Sequence, residues 1–327
     1  MRAPDFWERD GGILGGILAP LGWCYGLAGG IRFAITRPVR SSVPVICVGN
    51  LVAGGAGKTP VAINLARRLI VEGRTVHFLT RGYGGRLDGP VRVDQKAHTA
   101  VDVGDEALLL ARVAPVWVAK DRALGVAAAE DGSPDIMIMD DGFQNPSVMK
   151  DLSLLVVDGA FGFGNGYVFP AGPLRESVGA ALARADAIIL IGSDDARVKN
   201  ILAARGNTLP ILRAQSRPGP EVDDIKGKPI IAFAGIANPE KFFRTLREAG
   251  CEVRSTHAFA DHHPFSKIDM EHLRAKAESL NAQLVTTEKD AARLSPEDLE
   301  TISVLMMSLE WTDETSLDAT MSLLFSE

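Results

Sequence analysis

The residues that most directly imply chemistry are Gly54-Gly55-Ala56-Gly57-Lys58-Thr59, followed by Pro60. Glycines lacking a Cβ let successive backbone N–H groups turn inward, and such a nest at the start of a helix attracts phosphate. There Lys58 would reach the β- and γ-phosphates of a nucleotide, and the Thr59 hydroxyl would ligate Mg2+. The glycine that usually stands five residues before Gly57 is Val52 here, so the strict phosphate-loop pattern is broken. A plain strand-to-helix turn would explain the glycines, but not a lysine and a threonine at the helix start.

Further chemistry-bearing groups follow at intervals. The apolar run Ile136-Met137-Ile138-Met139 ends in Asp140-Asp141-Gly142, as a buried strand does when it carries a carboxylate to the Mg2+ beside a phosphate loop. Thr80-Arg81-Gly82-Tyr83-Gly84 offers a phosphate donor and an aromatic hydroxyl, although a surface turn would look similar. Gly104-Asp105-Glu106 opens a helix, where two acids match the helix dipole or else supply a base and a metal-shell ligand. The stretch from Phe163 to Glu176 is too rich in glycine and proline for a strand or helix and reads as a rigid loop delivering Arg175 and Glu176. Asp261-His262-His263 lies in a later loop; neighbouring residues rarely converge on one zinc without further ligands at the usual spacings.

To position these groups the chain must alternate. Apolar strands are expected at 43–48, 75–80, 115–119, 135–140, 153–158 and 187–191, with helices at 58–72, 104–113, 122–130 and 175–185. Such alternation predicts an α/β fold, a mostly parallel sheet with helices on both faces, with ligands beyond the carboxyl ends of the strands. A composition shift at Arg217-Pro218-Gly219-Pro220 precedes a second series, with strands at 229–235, 251–257, 283–287 and 302–308 and helices at 239–249 and 267–280. The expected organisation is an N-terminal apolar segment over 1–40, a phosphate-loop core over 41–222 and a smaller α/β domain over 223–327.

The 327 residues are 46% hydrophobic and 23% charged, as in an ordinary globular protein. A net charge of −6 argues against nucleic acid as a partner. The three cysteines have no ligand spacing and cannot all pair, which suits reduced thiols. From Gly11 to Ile31 no residue is charged, and Arg32, Arg37 and Arg40 follow. Asp5, Glu8 and Asp10 stand where a signal peptide would be positive. A membrane-surface element is the expectation; a helix buried in the protein's own core competes with it, and a true span comes third.

Taken together, Gly49-Asn50, the Gly54–Pro60 loop, Arg81-Gly82-Tyr83-Gly84, Gly104-Asp105-Glu106, Asp140-Asp141-Gly142-Phe143-Gln144 and Pro170-Ala171-Gly172-Pro173-Leu174-Arg175-Glu176 resemble the tetraacyldisaccharide 4'-kinase family, the lipid A 4'-kinases. Ala232–Pro239 and Thr287-Glu288-Lys289-Asp290 extend the resemblance across most of the chain. It implies ATP-dependent phosphorylation of a tetraacylated glucosamine disaccharide 1-phosphate at its 4'-hydroxyl, by a monomer on the cytoplasmic face of the inner membrane. It further implies Asp105 as catalytic base with His262 as its partner. Lys58, Arg122, Arg175 and Asp141 join them in catalysis. Thr59, Asp140 and Glu106 serve the metal, Gly54 to Pro60 the nucleotide, and Arg81, Tyr83 and Asn50 the substrate. The competing class is a membrane-bound ATPase switch of the division-site or partitioning type. Its loop carries an extra lysine before the glycine pair, where this chain has Ala53. A P-loop enzyme with a soluble substrate would leave the apolar N-terminal run unexplained.

Overall fold

The computed structural model describes residues 4–7 and 12–325. Gly11, Glu8 and Asp10 lie outside them, as do the last two residues of the expected second domain.

Among the described residues thirteen strands form two sheets. The larger is built from β1 (Val45–Asn50), β2 (Val76–Thr80), β3 (Val91–Arg92), β4 (Val116–Val118), β5 (Ile136–Asp140), β6 (Leu152–Asp158), β7 (Ala187–Ile191) and β8 (Ile211–Pro218). The smaller contains β9 (Pro229–Ala234), β10 (Glu252–Ala258), β11 (Gln283–Thr287) and β12 (Ile302–Leu305), and β13 (Met307–Trp311) returns to the larger. The spatial order of the large sheet is β13-β8-β7-β6-β1-β5-β2-β4-β3, so β1 lies in the middle between β6 and β5. Its pairings are parallel except at the two edges, where β13 runs against β8 and β3 against β4. The central strands are buried on both faces, which is why they read as continuous Val/Ile/Leu/Met runs rather than alternating ones. One face is covered by the Lys58–Val71 helix through Val61, Leu65 and Leu69, the other by packing around Val126, Val178 and Leu202.

The smaller sheet, in order β10-β9-β11-β12, is parallel throughout and has its own core around Phe233, Phe243, Leu246 and Met270. Two expectations need correction here. The strand expected over 302–308 is two strands that break at Met306, and the unit expected over 223–327 does not keep its last segment. β13 pairs with β8, and the Glu314–Ser322 helix packs Leu317 and Met321 into the core of the larger domain. The cause is tertiary: β8 leaves the large sheet with an open edge, and the alternating Met307–Trp311 segment fills it. The chain thus crosses between the domains twice, and the crossings touch, the Gly219 N–H donating to Met306 O at 2.8 Å.

The N-terminal segment forms a 24-residue helix, Gly12–Ile35, with Pro20 inside it. Its buried positions are Gly15, Ala19 and Gly22, spaced along one face. A Cβ on Gly22 would sit 2.6 Å from Val168 O, so only glycine lets the helix lie this close to the 163–176 loop. The large side chains point away from the protein: Ile13 is 84% exposed, Ile17 67% and Trp23 72%. The buried-core alternative therefore fails for this helix, because the face that a core would take is made of small residues.

Candidate active site

The glycine loop leaves β1 at Asn50, at the carboxyl end of the sheet. Gly57 adopts φ +86°, a left-handed conformation, and its Cβ position lies 2.7 Å from Ile191 Cδ1, so both backbone and space require glycine. The helix that starts at Lys58 has no side-chain cap, leaving its first N–H groups for an anion. Ala56 is buried beneath the loop, and Gly55 faces Ala237 of the smaller domain. Two sequence assignments change here. Pro60 has no N–H to offer a phosphate; it sits in the first turn, where a missing donor breaks no helix bond. Asn50, expected at the substrate, is fully buried, and its amide donates to Val52 O (2.9 Å) and Gly54 O (3.4 Å), bracing the loop from behind.

Parallel register sets Asp140 opposite Val48, one strand away from the loop. Asp140 Oδ2 accepts the Thr59 hydroxyl at 2.9 Å, and Oδ1 has no hydrogen-bond partner among the described residues although it is wholly buried. Burial, reinforced by the charges of Glu106 and Asp141, pushes this carboxyl up to about 7 against the opposing pull of Lys58 and the Thr59 hydrogen bond. An orphaned buried carboxylate oxygen beside a threonine hydroxyl, with the charges of Glu106 and Asp141 close by, is a fit for Mg2+. That ion typically takes one or two protein oxygens and completes its shell with phosphate and water. Accordingly, no group of three histidine, cysteine or acidic side chains forms a self-sufficient metal cage among the described residues.

Asp141, at φ +53°, turns toward the cations. Arg175 Nη1 donates to its Oδ1 at 2.8 Å and Lys58 Nζ lies 3.6 Å from the same oxygen. Burial alone would raise its pKa; Lys58 and then Arg175 outweigh that and hold it below the ordinary carboxylate range. Arg175 is placed by backbone bonds of the 163–176 loop to the strand end: its own N–H donates to Leu51 O (2.7 Å), and the Ala53 N–H donates to Pro173 O (2.8 Å). This loop is the one on which the apolar helix rests. Gln144 braces it from the other side, donating to Asn50 O (2.9 Å) and to Glu176 Oε1 (3.1 Å).

Across the cleft, Asp105 begins the Asp105–Ala111 helix and is 3% exposed. Its Oδ1 accepts the Glu106 N–H (2.8 Å), while Oδ2 lies 2.9 Å from His262 Nδ1, a residue 157 positions later and on the other domain. Burial pushes the Asp105 carboxyl up, but the His262 hydrogen bond and the charges of Lys289, His262 and Arg293 prevail and keep it ionised below the usual range. Tyr83 is exposed beside this pair, its ring 5.2 Å from the His262 ring. His263 turns the other way, onto Asp269 (3.1 Å) and the Phe259 ring, which leaves His262 as the histidine of the cleft.

Other expected residues are placed less simply. Glu106 reaches Lys289 Nζ at 3.1 Å, a contact with the second domain, and its charge is felt at Asp140. Arg122 is 3% exposed and donates to Ala119 O, while its Nε has no hydrogen-bond partner among the described residues. Burial lowers it to about 10, Asp141 and Asp140 support its charge, and the nearby Arg81 opposes it. Arg81 itself is exposed at the end of β2. Sequence reasoning did not single out Arg293, 7% exposed with Nε 3.4 Å from Asp105 Oδ2, nor Lys289 as a site cation. The only signal for Arg293 was its position three residues after the Asp290 that ends the Thr287–Asp290 motif.

Residues 14–325 match the profile of a family described as Tetraacyldisaccharide-1-P 4'-kinase. The chain is 53% identical over 312 residues to the tetraacyldisaccharide 4'-kinase of Paramagnetospirillum magneticum, covering 95% of each chain. It is 56% identical over 299 residues to that of Parvibaculum lavamentivorans, covering 90% of this chain and 87% of the relative. Among solved structures, LpxK from Aquifex aeolicus in complex with ATP superposes with a TM-score of 0.76 at 25% identity, over 96% of this chain and all of that one. A mostly parallel P-loop sheet, a cross-domain acid–histidine pair and these likenesses along the whole length agree: this chain belongs to the tetraacyldisaccharide-1-P 4'-kinase family.

Proposed function

We propose that the kinase activity of the family is carried in this chain by Asp105 and His262 acting across the interdomain cleft on a nucleotide held by the glycine loop. The chain is an ATP-dependent kinase of a lipid A precursor, and the acceptor is the 4'-hydroxyl of a tetraacylated glucosamine disaccharide 1-phosphate. The observation that carries the reading is the 2.9 Å contact between His262 Nδ1 and Asp105 Oδ2, joining the two domains at the mouth of the phosphate loop.

The N–H groups at the start of the Lys58–Val71 helix cradle the phosphates, and Lys58 clamps the charge that spreads over the transferring group. Thr59 and Asp140 are the residues that would hold Mg2+, which neutralises phosphate charge when bound. Arg175, fixed by its loop, adds a guanidinium directed at the same region and keeps Asp141 and Lys58 in register. Asp105 accepts the proton of the attacking hydroxyl. Its lowered pKa makes it a weak base, and a loose phosphoryl-transfer transition state asks more for orientation than for basicity. His262 supplies that orientation from the second domain, so the unit is complete only with the two domains in contact, and any opening of the cleft would disable it and limit wasteful hydrolysis. Arg81 and Tyr83 stand exposed at the rim and are suited to the sugar and its phosphate. Arg122, buried behind Asp140 and Asp141, adds positive field.

The outward face of Gly12–Ile35, with Arg32, Arg37 and Arg40 at its end, supports peripheral attachment to a membrane that contains the acylated substrate. ATP as donor puts the catalytic domains on the cytoplasmic side, and one chain supplies every group named, so a monomer suffices. The test is a double-mutant cycle. Asp105→Ala and His262→Ala should each lower kcat strongly with little change in KM for ATP, and the double variant should lose no more than the worse single one. If the two losses multiply, the residues act independently and the pair is not a unit.

A further inference from the structure

Arg293 lies outside every motif used above, yet its side chain makes more polar contacts at the cleft than any residue assigned to it. Nη1 donates to His263 O at 3.0 Å; Nη2 donates to Gly235 O at 3.0 Å and to Asp290 Oδ1 at 2.8 Å; Nε donates to Lys289 O at 3.4 Å and lies 3.4 Å from Asp105 Oδ2, an ion-pair contact. Asp290, wholly buried, in turn accepts the Gly235 N–H (2.9 Å) and the Thr287 hydroxyl (2.6 Å). Gly235 O accepts a second bond, from the His262 backbone N–H at 3.0 Å. These bonds converge on the turn Ala260-Asp261-His262-His263, and on the strand end at Gly235 to which that turn is fastened.

The turn needs fastening. His262 has φ +57°, a left-handed conformation that is costly for a non-glycine residue and persists only where the surroundings dictate it. The geometry points to Arg293 as the positioning residue of the acid–histidine pair: one guanidinium holds the His262 turn and faces Asp105, setting both partners at contact distance when the domains meet. This inference rests on the reading of Asp105 and His262 as a catalytic unit. A planar fork with fixed donor directions can serve His263 O, Gly235 O, Asp290 and Lys289 O together while setting its charge beside Asp105. An ammonium can carry the charge but cannot span that set.

The experiment uses the full-length chain as wild type, Arg293→Lys, Arg293→Gln, His262→Ala and His262→Ala/Arg293→Lys. Kinetics on ATP and lipid acceptor are measured with hydrogen exchange of the 258–265 segment and of β9. Arg293→Lys should lower kcat by about tenfold to a hundredfold, the range expected from a misplacement of up to 1 Å, with KM for ATP within about twofold of wild type. Arg293→Gln, lacking the charge as well, should lose more. Exchange at 258–265 should quicken while β9 stays protected. In the His262→Ala background, Arg293→Lys should cost nothing further. The inference is overturned if the loss persists without His262, if β9 loses protection equally, or if neither Arg293 variant folds, for then the arginine serves the domain and not the pair. Full activity of His262→Ala alone would instead remove the catalytic unit itself, a distinct outcome that takes the inference down with it.

Discussion

Membrane attachment through the first helix can be weighed from its exposed side chains. Ile17 and Leu21 lie one turn apart on the outward face, 67% and 57% exposed. Replacing both with alanine preserves helix propensity and removes three carbons from each. At about 0.8 kcal/mol per buried CH2, scaled by these exposures, the pair would give up about 3 kcal/mol of transfer into a bilayer. That is roughly a hundredfold in partition coefficient, at 1.4 kcal/mol per factor of ten. Co-flotation with vesicles of mixed zwitterionic and anionic lipid measures it directly, alongside the melting temperature. The same substitutions in a packed core would instead cost about 2–5 kcal/mol each in stability. The expected result is weaker flotation, unchanged melting and a raised KM for vesicle-borne lipid acceptor. Unchanged flotation with a sharply lowered melting point would refute the reasoning, since the two side chains would then be packed against protein.

Lys58→Ala should reduce transfer by at least about a hundredfold, the order seen when one preorganised charge-stabilising donor is lost, while circular dichroism stays native. Arg175→Lys should retain part of the rate, and Arg175→Ala should lower kcat more than KM for ATP, because the guanidinium sits on Asp141 rather than on the cradle. Asp140 gives a pH signature. Its folded pKa of about 7 exceeds the ordinary carboxyl value, so burying its charge destabilises the metal-free protein progressively as pH rises from about 4 to 7. A divalent cation arriving below pH 7 must expel that proton. Calorimetry of Mg2+–nucleotide binding at pH 6.5, in buffers of different ionisation enthalpy, should register proton release that Asp140→Asn abolishes; its persistence in that variant would disprove the assignment.

The parts of the site that sequence made legible are those governed by local chemistry. A glycine loop with Lys58 and Thr59 fixes a strand, a turn and a helix in order, and the apolar run into Asp140 places a carboxylate at the next strand's end. The pairing of Asp105 with His262 was legible only through the family resemblance, since nothing local encodes a meeting of two residues 157 positions apart on two domains. Asn50 shows the opposite limit. It stands beside a functional motif, but burial and its bonds to the loop behind the cradle decide what it does, and these emerge only in three dimensions. β13 escaped for a related reason: only its pairing with β8 assigns it to the larger sheet, and Met306 separates β12 from β13 with neither glycine nor proline to mark the break.

That break has a mechanical meaning. A domain hung on one flexible linker can swing and twist about any axis, and its active groups would search a wide volume before finding their partners. Here the smaller domain is inserted into the larger, entered after Pro218 and left at Met306, with the entering and leaving strands hydrogen-bonded side by side. A two-stranded ribbon bends readily across its flat face and resists shear and torsion in its plane. Were the cleft to open, such a ribbon would confine the domain to an arc, much as a strap hinge confines a door. The imidazole would then be returned to the same place in every catalytic cycle by the direction of travel, before any attraction between the partners is felt.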